Sequence, residues 1–353
     1  MDNDHALQET AGILTNYGIK PYYVEDYGKI KKVYANTGTY ALKQIDPHKG
    51  IDFIRQVQFL YQKGYNRIVP IFPTGDGRYA VYAKNRLYYL MPWLSNDEKE
   101  NRDERPVQMF RELARMHTLS SRELEISQEA REEHYENTIK QYEKDEEFLE
   151  GFIEASEEEW YMSPFQLTFC LYYNNIRQAM GFAKQKLESW REKTKDQKKA
   201  RMVQLHGNLS TEHFLYDEKG YGYFTNFEKA RVGSPIQDIL PYLSRYLKTR
   251  PKRSDEAVEW ISMYLNYFPL KEDERLLFLS YLAYPTGMLR TAEVYFMQKT
   301  KQDERKAVQK LQRQFWHLKN TEYVAMRLEE IERQKQAAIE QAKQQAEQER
   351  AQS

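Results

Sequence analysis

The sequence predicts an α+β protein of two lobes, a small β-rich N-lobe with one main helix and a larger, mostly helical C-lobe. Three observations carry this. Residues 1–92 are dominated by short β-branched and aromatic runs separated by Gly, Asn and Asp turns, with one helical stretch among them. After Pro92 helical spacing prevails, and from Met288 onward there is neither Gly nor Pro to stop a helix. The helices are interrupted between Gln204 and Ile239 by a short hairpin and polar turns.

In the N-lobe, "YYVEDYGKIKKVYA" and "TYALKQID" flank "NTG", a turn signal between two β-rich runs, and read as a hairpin. "IDFIRQVQFLYQKGY" places Ile51, Ile54 and Val57, or Phe53, Val57 and Leu60, at helical spacing and stops at Gly64. "RIVPIFPT", "GRYAVYAKN" and "RLYYLMPW" then read as three more strands, so residues 1–92 are expected to form a five-stranded sheet plus one helix. The C-lobe spans 93–335. It opens on the helical "PVQMFRELARMHTLS", followed by the acidic run "YEKDEEFLEGFIEASEEEW", which reads as a solvated helix face and loop. "SPFQLTFCLYYNNIRQAMGFAKQKLESWREK" is a longer helix, and helical spacing resumes at "IQDILPYLSRYLK". Residues 336–353 form a polar tail, helical or disordered. Ile339 is its only large apolar residue, so it cannot bury a face alone and is expected to fray, unless a partner helix joins it in a coiled coil.

Composition excludes several classes of function. The chain has 353 residues, enough for one large domain or two ordinary ones with a sizeable core. Its 53 Lys+Arg and 53 Asp+Glu cancel, which leaves no global field to draw it onto nucleic acid or an anionic membrane. No apolar run approaches the length of a membrane span, and the acidic, polar "MDNDHALQET" is unlike a secretory signal. The single cysteine, Cys170, cannot form an intramolecular disulfide and, in its apolar run, reads as a buried structural thiol. A reducing cytoplasm is the expected place of synthesis. Tyrosine is abundant at 28, which suits half-buried positions with an apolar ring and a wet hydroxyl.

The chemistry-bearing stretch is "HGNLSTEHFLYDEKGYGYFTNFEKARVGSPIQDI". With Lys43 in "YALK" and the two-lobe pattern, it resembles the signature of aminoglycoside phosphotransferases, choline kinases and their relatives. That signature is H-G-D-x-x-x-x-N, a hairpin, then [I/V]-D-[F/W]-E-x-A-x-x-G-x-P-x-x-D-[L/I]. The resemblance covers roughly residues 10–330 and implies a protein-kinase-like bilobal fold. His206, Gly207, Phe227, Glu228, Ala230, Gly233, Pro235, Asp238 and Ile239 fall into register. Asn208 stands where the family has its catalytic aspartate, His213 where it has a metal-binding asparagine, and Asn226 where it has a metal-binding aspartate. The flow of the chain is most similar to the spore coat kinase-like branch of that superfamily, and within it to endospore coat-associated proteins.

These departures matter because phosphoryl transfer rests on positioning and charge neutralisation, with metal ions clamping phosphates and a carboxylate orienting the acceptor hydroxyl. A carboxamide at Asn208 has no useful basicity, Asn226 offers one neutral oxygen, and the imidazole of His213 is poorly matched to Mg²⁺. The helix over 51–63 contains no glutamate, so Lys43 has no evident partner there. Lys43 is left to meet a phosphate or an acidic side chain elsewhere, or to be an ordinary exposed strand lysine. His213 is left as a packing residue at the hairpin start or a substitute ligand or base.

The resemblance implies structural roles for His206, Gly207, Glu228, Gly233, Pro235 and Asp238. The expectation is a degenerate kinase-like site at Asn208, His213 and Asn226, with no catalytic residue intact, no metal and no cofactor. Such a pseudokinase would be made in the mother-cell cytoplasm and deposited at the spore coat on the forespore surface during sporulation, among other spore coat proteins. The alternative is an atypical small-molecule kinase or nucleotide-binding sensor with a rewired site, and only that reading admits ATP and Mg²⁺.

Overall fold

The computed structural model describes residues 2–94, 104–249, 251, 253, 255–297 and 303–352. The chain is mixed α/β, with a β-sheet N-terminal part and a mostly helical C-terminal part. It divides into two compact units, residues 1–122 with 202–238 and residues 123–201 with 239–353.

The first unit begins with a helix the sequence reading did not anticipate, α1 (Asp2–Leu14), whose buried Ile13 and Leu14 both lie in its last turn. Leu7, Ile13 and Leu14 pack into the core, but so few large apolar residues among Asp, Asn, Gln and Glu leave little periodic signal. β1 (Pro21–Asp26), β2 (Ile30–Ala35) and β3 (Gly38–Ile45) follow as an antiparallel meander. α2 (Phe53–Gln62) then buries Phe53, Ile54, Val57 and Leu60 on one face and stops before Gly64, whose φ of 81° is left-handed. β4 (Val81–Ala83) and β5 (Arg86–Pro92) complete a five-stranded sheet of order β1-β2-β3-β5-β4.

Five strands were expected, but not these five. "YYVEDYGKIKKVYA" is two strands hinged at Tyr27–Lys29, and "RIVPIFPT" is not a strand. Pro70 and Pro73 remove two of its donors, so it makes only isolated bridges, Ile68 to Phe224 and Phe72 to Leu90. One core cluster of this unit gathers Val24, Val33, Leu42, Val81 and Leu90 from the sheet with Ile13 and Leu14.

α3 (Glu104–Ser120) buries Met109, Phe110, Leu113, Ala114 and His117. β6 (Arg122–Glu125), α4 (Gln128–Glu157), α5 (Pro164–Thr194) and β7 (Lys199–Leu205) come next. The acidic run therefore lies mainly in one 30-residue helix, α4, capped by Ser127, whose hydroxyl accepts the Ala130 N–H at 3.1 Å. α5 opens with a reciprocal cap in which the Ser163 hydroxyl accepts the Gln166 N–H and the Gln166 carboxamide accepts the Ser163 N–H. β8 (Phe214–Tyr216) and β9 (Gly222–Phe224) form the expected hairpin, and β10 (Arg231–Gly233) pairs antiparallel with Val203–Leu205.

The second unit is helical, with α6 (Ile236–Lys248), which starts in the first unit, then α7 (Asp255–Tyr267), α8 (Glu272–Ala283), α9 (Thr286–Met297) and α10 (Glu304–Gln352). One of its clusters packs Leu149 and Phe152 of α4, Phe165, Phe169 and Ile176 of α5, Met288 and Tyr295 of α9, and Leu311 and Leu318 of α10. Phe165 stacks on Tyr295 at 3.9 Å between centroids, and Tyr142 on Tyr284 at 3.8 Å. Arg201 grips Glu274 with a two-nitrogen fork, lays its guanidinium 4.1 Å over Phe268 and donates to the Pro269 carbonyl.

Two further expectations need correction. Cys170 is half-buried on α5 rather than buried. The tail does not fray: α10 continues to Gln352, although every side chain from Arg333 to Gln345 is exposed. A helix already nucleated and packed over Ala307–Leu328 propagates cheaply through Ala, Gln, Glu and Lys. Residues 95–103 after the composition change, residues 298–302 in the Gly- and Pro-free region, and Ser353 of the tail lie outside the described residues.

Candidate functional site

The signature positions from His206 to Asp238 fall in the first unit, Ile239 opening the second, and their geometry begins at the end of β7. There the chain turns through His206 and Gly207. Gly207 has a φ of 76°, and a Cβ on it would stand 2.0 Å from the Lys229 carbonyl oxygen. No other residue fits that approach. The loop carrying Asn208 and the segment carrying Glu228 are thus pressed together through a glycine.

His206 is fully buried, and its bonds define its tautomer. Nε2 lies 2.7 Å from the Thr225 carbonyl, which only accepts, so Nε2 carries the proton; Nδ1 then accepts the Asn208 N–H at 3.2 Å. Burial pushes this imidazole below the usual histidine range. With both nitrogens engaged, it ties the loop to the end of the hairpin.

Asp238, in the first turn of α6, gathers three donors. Its Oδ2 accepts the His206 N–H at 2.8 Å and the His117 Nε2–H at 3.3 Å, and its Oδ1 accepts the Gly207 N–H at 2.8 Å. Burial opposes its charge, but the bond from His117, the two imidazoles and the His206 amide outweigh it and hold the carboxyl below its ordinary range. His117 was quoted in sequence only as the end of a helix. A histidine on an apolar helix face gives no signal of a partner 121 residues away.

His213 ends a short 3₁₀ turn before β8. Its Nδ1–H donates to the Asn208 carbonyl at 2.8 Å, and its ring faces that of His206 at 6.0 Å. Burial, with the Lys43 charge adding to it, lowers its pKa against the pull of Asn208 and Glu228. Asn226 has φ 70° and ψ 44°, a left-handed conformation that asparagine tolerates better than most residues. The side-chain amides of Asn208 and Asn226 make no hydrogen bond among the described residues.

Two residues beyond Asn226 lies the main difference from the sequence reading. Lys43 does have a partner, in the short 3₁₀ turn (Phe227–Lys229) that follows the hairpin rather than on α2. Its Nζ lies 2.5 Å from Oε1 of Glu228, which also accepts the Tyr89 hydroxyl at 2.6 Å. Lys43 and Tyr89 face each other across β3 and β5, and the ammonium lies 5.7 Å from the Tyr89 ring centroid. The Lys43 and Glu228 side chains are only 9% and 13% exposed. Burial raises the carboxyl, but the Lys43 charge and the bonds from Lys43 and Tyr89 bring it below its usual range, so Glu228 is ionised. Burial and the facing carboxylate push the Tyr89 phenol well up.

Gly233 and Pro235 shape the exit into α6. A Cβ on Gly233 would meet the Gln237 carboxamide at 2.3 Å and Leu205 at 2.6 Å, and Pro235 is buried just before the helix. The donor set at the signature positions therefore comprises two neutral carboxamides, one neutral imidazole, and one carboxylate already held by an ammonium and a phenol. Among the described residues no three His, Cys, Asp or Glu side chains group as metal ligands.

The architecture is shared with solved phosphotransferases. An aminoglycoside phosphotransferase from Alicyclobacillus acidocaldarius subsp. acidocaldarius DSM 446 superposes with a TM-score of 0.68 at 14% identity, over 91% of this chain and 96% of that one. Spectinomycin phosphotransferase APH(9)-Ia gives 0.52 at 11% identity over 92% and 98%. A microcompartment-associated aminopropanol kinase gives 0.52 at 13% over 89% and 96%. No family model and no curated protein matches the sequence. At these identities the likeness establishes the fold: the chain has the kinase-like fold of the aminoglycoside phosphotransferases.

Proposed function

We propose that this chain is a catalytically inactive kinase-like protein, a pseudokinase, acting as a structural or assembly component of the bacterial endospore coat in sporulation. The observation that carries the inactive reading is the Lys43–Glu228 pair. A lysine free to meet a nucleotide phosphate would be the site's remaining cation; here its charge is neutralised inside the protein by a carboxylate that a phenol also holds. A hard dication such as Mg²⁺ wants several anionic oxygens. Asn208, Asn226, a neutral His213 and a committed Glu228 do not fit a magnesium nucleotide, and we route no step through one.

The coat role rests on the resemblance of the signature and chain flow to the spore coat kinase-like branch, in particular its YutH-type endospore coat-associated proteins. On that reading 1–92 is the N-lobe, 93–335 the C-lobe and 336–353 the tail. The protein is made in the mother cell, is deposited at the forespore surface, and has other coat proteins as its partners.

A second reading, an atypical small-molecule kinase or nucleotide-binding sensor, draws on one observation. The carboxamides of Asn208 and Asn226 and the Nε2 of His213 make no hydrogen bond among the described residues, so polar groups remain for a ligand. Thermal-shift titration with ATP, with and without Mg²⁺, separates the two. The inactive reading expects no Mg²⁺-dependent rise in Tm. A rise accompanied by ATP turnover that is lost in Glu228→Gln or His213→Ala establishes the second. The coat role is tested by a fluorescent fusion in sporulating cells; signal that stays dispersed in the mother cell refutes it.

A further inference from the structure

In the second unit, α6, α8, α9 and α10 enclose a pocket of about 680 Å³, a size typical of small-molecule sites. Three of these helices each turn one cationic side chain toward it: Lys248 of α6, Arg290 of α9 and Lys310 of α10. Among the described residues no Asp or Glu lines it. None of the three cations makes an ion pair or hydrogen bond among the described residues. Like charges converging on one concavity without a counter-charge repel one another, and an anion placed among them relieves that cost.

The pocket floor is polar and unsatisfied. Lys310, Gln314, His317 and Thr321 lie three or four residues apart on one face of α10. Gln314 is only 5% exposed, yet its carboxamide makes no hydrogen bond among the described residues. It is admitted by Gly287 of α9, where a Cβ would stand 2.1 Å from the Gln314 Oε1. Nε2 of His317 is likewise buried without a partner. Buried polar groups left unpaired are uncommon and call for a ligand or ordered water. Here the His317 nitrogen is such a group, and the unpaired Gln314 carboxamide stands near it on the same helix face, beneath three unpaired cations.

We infer that this pocket binds a small polyanion, its phosphate or carboxylate groups held by Lys248, Arg290 and Lys310 and its polar body by Gln314 and His317. The Arg290 guanidinium suits two-oxygen recognition of either group, and the lysines act as point charges. His317 supports the assignment. Burial and the Lys248 ammonium push its imidazole down to about 4 against the pull of the Ser244 backbone. The other groups facing the pocket are Arg290 and Lys310, which are cationic, and Tyr281 and Tyr284, whose phenols burial pushes up and keeps neutral. A bound anion reverses the local sign and raises the imidazole.

The test is calorimetric titration of the full chain with inorganic pyrophosphate and, separately, with citrate. Saturable one-to-one binding of either, weakened about tenfold or more by Arg290→Gln and by Lys310→Gln and largely kept by Arg290→Lys, supports the site. Binding of pyrophosphate alone assigns a phosphate ligand, and of citrate alone a carboxylate ligand. All three cations stand exposed at the pocket mouth, so these variants leave the fold intact. A second readout is the His317 imidazole by NMR, which should titrate at higher pH when the anion is bound. Failure of both anions to saturate at about 10 mM, binding indifferent to the cation variants, or an unmoved His317 overturns the proposal. None of these outcomes alters the reading of Lys43 and Glu228.

Discussion

Lys43 and Glu228, 185 residues apart in sequence, meet at 2.5 Å with Tyr89 donating to the same carboxylate oxygen. A strand lysine of the sheet is thereby joined to the 3₁₀ turn after the hairpin. Glu228→Gln keeps an acceptor for Tyr89 but leaves Lys43 facing a neutral group while nearly buried. The expected loss is about 3 kcal/mol, read as a lower urea midpoint. Glu228→Gln combined with Lys43→Met should recover part of it. A loss below about 1 kcal/mol would mean the pair contributes no more than a surface ion pair.

Restoring the aspartates of the signature should not restore catalysis. In Asn208→Asp with Asn226→Asp, Glu228 still holds Lys43, so the expected result is no ATP hydrolysis or phosphoryl transfer above background in the presence of Mg²⁺. Turnover in that double variant would show that the pair opens readily and that only the two carboxylates were missing.

Acid should weaken the chain in two stages. The neutral, buried His206 has a lowered folded pKa, so its contribution is whole above about 6.5, the unfolded value, and is lost as pH falls toward the folded one. The folded pKa of Asp238 is lowered below about 3.9, so its contribution persists until the pH nears that value and disappears as pH falls through the folded one. Urea midpoints from pH 8 to pH 3 should fall in both windows, and Asp238→Asn should remove the lower step. A midpoint constant down to about pH 4 would contradict the assignment of His206.

Two glycines of nearly equal φ separate backbone strain from collision. Gly28 (φ 79°) has nothing within 4 Å of a Cβ, whereas Gly207 (φ 76°) has the Lys229 carbonyl at 2.0 Å. Gly28→Ala should cost about 1–2 kcal/mol, the price of a left-handed alanine. Gly207→Ala should exceed it by at least about 2 kcal/mol, because backbone must move as well. Equal losses in thermal unfolding would show that the loop yields freely.

What could be read in the sequence was local. α2 followed from its apolar spacing and Gly64, and the β8–β9 hairpin from a turn set between aromatic runs. The signature residues could be aligned along the chain, yet nothing in that alignment says what they touch. The partner of Lys43 was sought on α2, the helix that follows its strand, and lies in the turn after the hairpin; the partner of Asp238, His117, comes from α3. Such pairings depend on tertiary placement, which neither propensity nor spacing encodes. α1 escaped for the opposite reason: its helical character is real, but Leu7, Ile13 and Leu14 are too few among polar residues to mark a periodic face.

The left-handed backbone at Asn226 also bears on how this position can change over generations. Glycine, asparagine and aspartate occupy that conformation at low cost, and most other residues do not. Of these, only asparagine and aspartate keep a branched planar side chain of the same outline, differing by one terminal atom. The loop can therefore acquire or discard a negative charge here without its main chain moving, while nearly every other substitution meets resistance from folding itself. Drift at this position is channelled: its identity reports the charge the site requires, and its short list of alternatives reports the turn.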